Sequence, residues 1–390
     1  MLAIKLAYRN LIGAGLRTWL NVIILSFSFV IIIWHKGFLD GWDREARIDM
    51  IDWEIAGGQY WHQNYDPYDP FTLKDSHAKL TTDIENRINK GNITPILIEQ
   101  ATIYPDGRMQ SIFVKGIDPK QKIIKIPSEL LNKNIDEIPA IIGTRMVSNT
   151  KLKTNDIVTV RWRDVNGTFD AAELKIVGIF KTNVPSVDAG QIWIPLEKFR
   201  SMMQVPNEAT ILIKQNINSP AETFTGWDFK DQTHLLASID HVIEQKSIGG
   251  SILYFILLLL AMLAIFDTQV LSIFRRQKEI GTHIALGMTR GQVIRLFTIE
   301  GAMHGVLAII IAAIYGVPLL YLQVKYGFSM PEMTDSYGLT IAEKIFPVYS
   351  VGLVLGTTFI VLLVTTFVSF LPARKISKMK PTEAIKGKIQ

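Results

Sequence analysis

Four long stretches of the chain carry no Asp, Glu, Lys or Arg: Thr18 to His35 (18 residues), Ser247 to Phe266 (20), Gly301 to Val324 (24) and Ile345 to Ala373 (29). A helix needs about 20 mainly apolar residues to cross a hydrocarbon layer about 30 Å thick, so each run predicts a membrane span. The first is the shortest, and Trp19 and Trp34 bracket it as interfacial anchors. Its rival reading is a signal peptide, but the HKGFLDGW that follows offers no small-x-small cleavage site. Residues 41–246 show a different pattern. Ile157 to Trp162 alternates loosely, Asn166-Gly167 offers a hairpin turn, and Leu174 to Phe180 reads as the returning strand. Ile112 to Ile117, Gln191 to Ile194 and Ala209 to Ile213 are further strand candidates; Ser76 to Lys90, Pro195 to Met203 and Thr233 to Lys246 are helical ones. The expected fold is a membrane protein: four transmembrane α-helices with a large α+β extracytoplasmic domain between helices 1 and 2.

Charge orients this arrangement. Residues 1–17 carry Lys5, Arg9 and Arg17 and no acid; 275–300 carry five Lys/Arg against Glu279 and Glu300; the tail from Arg374 has six basic residues and Glu383 alone as acid. Basic excess marks cytoplasmic segments, which places both termini and 275–300 in the cytoplasm and residues 41–246 outside. The expected layout is a cytoplasmic interfacial helix at 1–17, helix 1 at 18–40, the external domain at 41–246 and helix 2 at 247–274. A cytoplasmic segment at 275–300 follows, then helix 3 at 301–324, an external loop at 325–344, helix 4 at 345–373 and a cytoplasmic tail at 374–390. The overall balance of +5 therefore reflects membrane flanks. Residues 41–246 hold 24 Lys/Arg against 28 Asp/Glu, which argues against nucleic acid as a partner.

Chemical motifs are scarce. These 390 residues contain no cysteine, excluding a disulfide framework, thiol catalysis and sulfur-based zinc sites. There is no phosphate loop, no H-E-x-x-H and no G-x-S-x-G, and the seven histidines lack metal-ligand spacing. No metal site and no enzyme activity are expected in this chain. Asp66, Asp69 and Asp75 lack the spacing and glycine of a calcium loop and read as a solvated acidic loop. The aromatic stretch Gln59 to Pro70 offers either a binding edge or side chains packed under the domain. Asp267, eight residues before Arg275 and so about 12 Å from it along a helix, suits a polar packing or capping role better than a proton relay. Gly301-x-x-x-Gly305 and Gly352-x-x-x-Gly356 allow close helix contact, within the chain or across a dimer seam.

The strongest signal lies between the second and third runs. Ile280, Ile284 and Gly287 recur at i, i+4, i+7, a short helix with an apolar strip stopped at glycine. Such a strip suits either the membrane interface or a groove of another protein. The string RRQKEIGTHIALGMTRGQVIRLFTIEG resembles the signature of MacB/FtsX-type ABC transporter permeases, matching at Arg276, Glu279, Ile280, Gly281, Ala285, Leu286, Gly287, Ile294, Phe297 and Glu300. The opening around Ala7 to Leu11 and Leu16 to Thr18, and the ending around Pro372 to Ile385, are similar to the same family, with Ile376 and Ile385 in place of its usual Ala and Leu. The resemblance implies that Arg276, Lys278, Glu279, Ile280, Gly281, Ala285, Leu286 and Gly287 form a coupling helix seated on a cytoplasmic ATPase. It further implies an ATPase subunit dimer, which would bind ATP and Mg, and a second permease subunit, identical or paralogous. This chain itself is expected to hold no cofactor.

Within that family the chain looks most like the LolC/LolE type. Its external domain is larger than that of FtsX-like members, and only 17 residues precede the first uncharged run. Gly58 to His62 with Tyr65, Asp66 and Pro67 is similar to a region of lipoprotein-release permeases, from which Gln59 and Tyr60 depart. The resemblance implies lipoprotein cargo taken from the inner membrane, membrane lipid as a contact and a periplasmic carrier. Acyl chains would enter along Ile23, Phe27, Val30 and Ile31 of the first span and Ile256, Leu260 and Leu263 of the second; lipid exposure is the alternative for each. A MacB-like efflux permease for peptides or small molecules stays open, as does a non-transporting transmitter activating a periplasmic partner.

Overall fold

The computed structural model describes residues 16–329 and 344–376. The expected interfacial helix before Leu16, most of the 325–344 loop and the family-like ending from Ser377 lie outside these residues. The chain divides into two compact units. One comprises Met1–Trp42, Ile243–Phe328 and Lys344–Gln390; the other comprises Asp43–Val242 with Ser329–Glu343.

Among the described residues four helices are long and apolar enough to cross a membrane. They are α1 (Leu16–Met50), α6 (Gln232–Arg275), α8 (Arg290–Tyr326) and α9 (Val351–Ile376). α1 and α6 outrun their uncharged stretches, so the separate helix expected at Thr233 to Lys246 is the start of α6. Charged residues continue a helix where they find partners. Arg47 holds Asp43 one turn back at 2.8 Å and also reaches Asp240 of α6. In the first unit Val22, Leu25, Phe29 and Ile33 of α1 pack with Ala261 and Ile265 of α6, Ala308 and Ala312 of α8, and Val361 and Val368 of α9. Asn21 ties α1 to α6, donating to the Ala264 carbonyl at 2.9 Å and to the Thr268 hydroxyl. His35 Nδ1 lies 2.8 Å from the Tyr254 hydroxyl further along the same pair. Small residues set the α8–α9 contact, since a Cβ at Gly301 would overlap Ser369 and one at Gly305 would lie 2.7 Å from Thr365 Oγ1. That glycine pair serves packing inside the chain. Gly352 and Gly356 have no such neighbour among the described residues. Asp267 is exposed on α6.

The second unit is built on a sheet of β1 (Gln59–His62), β3 (Ile93–Ile103), β4 (Gln110–Ile117), β5 (Ile138–Gly143), β6 (Ile157–Arg163), β7 (Phe169–Phe180), β8 (Gln191–Pro195), β10 (Ile211–Lys214) and β11 (Trp227–Lys230). Strands β3, β4, β8, β5, β7 and β6 pair in that order, and β6 pairs back to β3 through Ala101–Ile103 and Val160–Trp162. This closes a six-stranded barrel, from whose β3 the strands β10, β1 and β11 extend. β6 alternates strictly between exposed and buried positions, as a barrel wall requires. The core gathers Ile103, Ile112, Val160 and Ile176 with Phe199 and Met203 of α5 (Leu196–Met203). Three short helices also decorate this unit: α2 (Thr82–Asn89), α3 (Thr144–Thr150) and α4 (Pro185–Asp188).

One expectation for this unit is corrected, and one pair of alternatives is decided. The helix expected from Ser76 starts only at Thr82, because Ala78–Lys79 (β2) pairs with Glu208–Ala209 (β9). Gln59 to His62 is no free binding edge: β1 is hydrogen-bonded on both sides, to β10 and β11. Tyr60 is buried against Phe224 and Phe229. The acidic residues beyond it shape a turn, Asp66 accepting from Tyr68 N at 2.9 Å and Asp69 from Phe71 N at 3.0 Å.

Lys115 of β4 gives a test of this interior. It is buried, donates to the Ser186 carbonyl at 3.3 Å, and lies 5.1 Å from the Trp193 ring. Burial pushes its ammonium below the ordinary lysine range, with Glu54 pulling the other way. The unfolded chain, with an ordinary lysine near pH 10.4, then binds more protons between the two pKa values, and stability rises with pH across that window. Lys115→Met is expected to raise the melting temperature at pH 7, the apolar replacement being worth about 1 kcal/mol or more. It should also flatten the rise of stability with pH on the alkaline side, below the ordinary lysine pKa near 10.4. A variant that melts below the wild type at pH 7 contradicts this.

Candidate functional site

The segment after α6 carries the candidate site. α7 (Gln277–Ala285) begins directly at Arg276, and α8 starts at Arg290, so residues 290–300 of the expected cytoplasmic segment already belong to the third membrane helix. Thr289 caps α8 in a reciprocal box: its hydroxyl accepts from Gln292 N at 3.3 Å, and Gln292 Oε1 accepts from Thr289 N at 2.9 Å. Gly287 stands at φ +97, a conformation that glycine adopts without the cost other residues pay. It ends α7 and turns the chain into the capping residue.

Arg276 anchors the joint. Its Nη1 donates to both carboxylate oxygens of Glu300, at 3.0 and 2.9 Å, while its Nε donates to Glu279 at 2.9 Å. The same guanidinium lies 5.1 Å from the ring centroid of Phe297. Glu300 is buried, with 7% of its side chain exposed. A charge that deep is tolerated because it is paired and hydrogen-bonded. The start of α7 is thus fixed to α8 by groups 24 residues apart in sequence.

The apolar strip of α7 turns inward. Ile280 is buried with Ile273, Val293, Phe297 and Ala373, and Ile284, Met288 and Ile294 pack against that group. The strip read from the sequence is therefore spent on the chain's own helices and is not a face offered to a partner. Gly281 is buried as well. The opposite face shows Lys278, Glu279, Thr282 and Leu286, all exposed, with Leu286 80% exposed. At 100° per residue these four lie within one quadrant or so of the helix. Among the expected coupling residues, Arg276, Ile280 and Gly281 hold α7 in place, while Lys278, Glu279, Leu286 and Gly287 are presented outward. Ala285 lies on α7, where only its backbone is described. Glu300 entered the sequence reading as a motif position only. The signal for its role was a carboxylate set immediately before an uncharged run and an arginine ten residues beyond the end of another.

The residues expected to line a cargo path divide. Ile23 and Phe27 of α1 and Ile256, Leu260 and Leu263 of α6 are exposed on the first unit, and Ile31 is half-buried. Val30 differs: it is buried, and a Cβ at Gly316 of α8 would lie 2.8 Å from it, so it packs inside the bundle. Among the described residues no group of three or more His, Cys, Asp or Glu is placed to hold a metal ion.

Comparison with known proteins bears on the same region. Residues 251–381 match the family model of the FtsX-like permease C-terminal domain. The ABC transporter permease YknZ of Bacillus subtilis is 23% identical over 264 residues, covering 63% of this chain and 61% of that protein. The lipoprotein-releasing system transmembrane protein LolC of Neisseria meningitidis is 22% identical over 331 residues, 77% of this chain and 79% of LolC. The macrolide export ATP-binding/permease protein MacB of Vibrio parahaemolyticus is 24% identical over 230 residues, 54% of this chain but 33% of MacB. The matches thus span about three fifths of YknZ and a third of MacB. Residues 251–381 thus carry an FtsX-like permease C-terminal domain, and the chain is similar over longer stretches to the permease proteins YknZ, LolC and MacB.

Proposed function

We propose that this chain is the membrane subunit of an ABC transporter, in which a separate ATPase subunit dimer binds ATP and Mg, seats against the outer face of α7, and drives conformational change in the second unit. In this reading the termini and α7 are cytoplasmic, residues 41–246 are periplasmic, the membrane is the inner membrane, and a second permease subunit completes the complex. The cargo is lipoprotein, drawn from the inner membrane towards the outer one and handed to a periplasmic carrier. The observation that carries the coupling half is the geometry of α7: one face locked to the bundle through Arg276, Glu300 and Ile280, the other exposed at Lys278, Glu279 and Leu286. A helix fixed on one side transmits a push received on the other. Support for the cargo comes from LolC, whose similarity runs through 79% of its length, whereas that of MacB stops at 33%.

Affinity purification of the tagged chain from gently solubilised native membranes, read by mass spectrometry, tests both halves. An ATP-binding subunit together with acylated peptides or a soluble lipoprotein carrier is the expected result. The ATP-binding subunit with an adaptor and an outer-membrane channel replaces lipoprotein release by efflux, and the absence of any ATPase overturns the coupling reading. A point variant sharpens it. Leu286→Glu changes an exposed position, so stability should move by no more than about 0.5 kcal/mol, while recovery of the ATPase should fall several-fold. Unchanged recovery would remove Leu286 from the contact.

A further inference from the structure

The second unit has an open cleft of about 460 Å3 where β3 and β6 meet at the barrel wall. Its apolar rim is Phe71, Met109 and Phe169, and Phe71 is 90% exposed. Three cations share the space: Lys74, Arg161 and Arg163. The Arg161 guanidinium lies 4.4 Å from the Phe169 centroid and that of Arg163 5.9 Å from it, while Arg163 Nε donates to the Gly167 carbonyl at 3.0 Å. Stacking on a ring leaves the edge N–H groups of a guanidinium free to take a planar or tetrahedral anion.

Two acids, Glu99 and Asp164, line the same cleft, so the three cations exceed them by one charge. Asp164 accepts from Thr168 N at 2.7 Å and from Gln204 Nε2 at 2.8 Å. Glu99 accepts from Gln100 N at 3.0 Å, and Glu208 is engaged by His77 at 2.5 Å. Among the described residues neither Lys74 nor Arg161 has a carboxylate within 4.0 Å or any other polar partner. This stands out in a segment, 41–246, with more acidic than basic residues. A net positive charge, with Lys74 and Arg161 paired to neither acid, therefore sits beside exposed aromatic and thioether surface, in a hollow of the size that takes small ligands, about 300–1,000 Å3.

We propose that this cleft binds an amphiphilic organic anion, its carboxylate or phosphate ester held by Arg161, Arg163 and Lys74 and its apolar body laid on Phe71, Met109 and Phe169. The assignment is independent of the coupling and cargo readings. The test uses the full chain in lipid nanodiscs with decanoate carrying a terminal diazirine, irradiated and mapped by peptide mass spectrometry, which separates cleft adducts from those of probe dissolved in lipid. Adducts should fall on the peptides holding Met109 and Phe169. Arg161→Glu should reduce them about tenfold, the worth of a charge-assisted contact. Lys74→Glu, at an exposed position of the short turn Pro70–Asp75, repeats the charge test should Arg161→Glu unfold the barrel. Unlabelled decanoate and decyl phosphate should compete, and the stronger of the two assigns the headgroup. Adducts confined to the membrane helices, adducts unchanged by both charge reversals, or equal competition by decyltrimethylammonium would each overturn the proposal.

Discussion

Glu300→Ala is expected to loosen α7 from α8 and, in the proposed coupling, to cut the response of ATP turnover to cargo about tenfold. The substitution removes both acceptors of Arg276 Nη1 and leaves a guanidinium that is largely buried against Phe297. Breaking a buried pair by deleting one partner costs about 3–5 kcal/mol, because the remaining charge loses its compensation. Glu279, more exposed, keeps only a 2.9 Å contact with Nε. The position of α7 then depends on Ile280 and its neighbours alone. If the pair sets the register between α7 and the bundle, coupling should fall about tenfold, within the range usual between linked sites. Arg276→Ala should have a similar effect, and the double variant should be less than additive, since the two share one interaction. Two single effects that add fully would mean that the pair does not act as a unit.

The second large effect lies in the other unit. Asp188, at the end of α4, is fully buried, accepting from Arg145 Nη1 at 3.0 Å and from Arg145 N at 3.3 Å. The Arg145 guanidinium also donates to the Thr182 carbonyl at 2.8 Å. Gly143, at the end of β5, has the Asp188 side chain pressed where its own Cβ would stand. Asp188→Ala leaves a mostly buried guanidinium without this carboxylate and is expected to cost about 3–5 kcal/mol. In a unit of this size that corresponds to a fall in melting temperature of roughly 10 °C. Asp188→Asn, which keeps the shape and one acceptor, should lose clearly less. Limited proteolysis of the full chain on a temperature ramp reads both, and equal losses would assign the effect to volume, not charge.

The membrane helices were legible because each uncharged run is long enough to admit few other fates. Their true lengths were not. An apolar run bounds the part that must avoid water, whereas the helix continues wherever charges find partners, as Arg47 does with Asp43 and Asp240. In the second unit the strands that alternate or carry a turn signal, β6 and β7 above all, could be read directly. β3 and β5 were missed because each carries a proline near its start, Pro95 and Pro139, a residue that argues against a strand interior. Closure of the barrel depends on Ala101–Ile103 meeting Val160–Trp162, a pairing between distant segments to which local pattern is blind. At the candidate site the motif positions were visible, but their division of labour was not. Periodicity shows that Ile280 and Ile284 share a face; only the fold shows that Ile273, Val293, Phe297 and Ala373 cover it. The face left over, at Leu286, is the one proposed to meet a partner.

The central claim is that this face meets the ATPase. The absence of cysteine from these 390 residues makes the measurement simple: Leu286→Cys, labelled with a photoactivatable maleimide in native membranes, with Ile280→Cys and Tyr68→Cys as buried and exposed controls. The account predicts a cross-link from Leu286→Cys to an ATP-binding subunit, changing in yield on addition of ATP, and none from either control. Cross-links from Leu286→Cys to lipid alone, or an ATPase adduct formed equally from Tyr68→Cys, would contradict it.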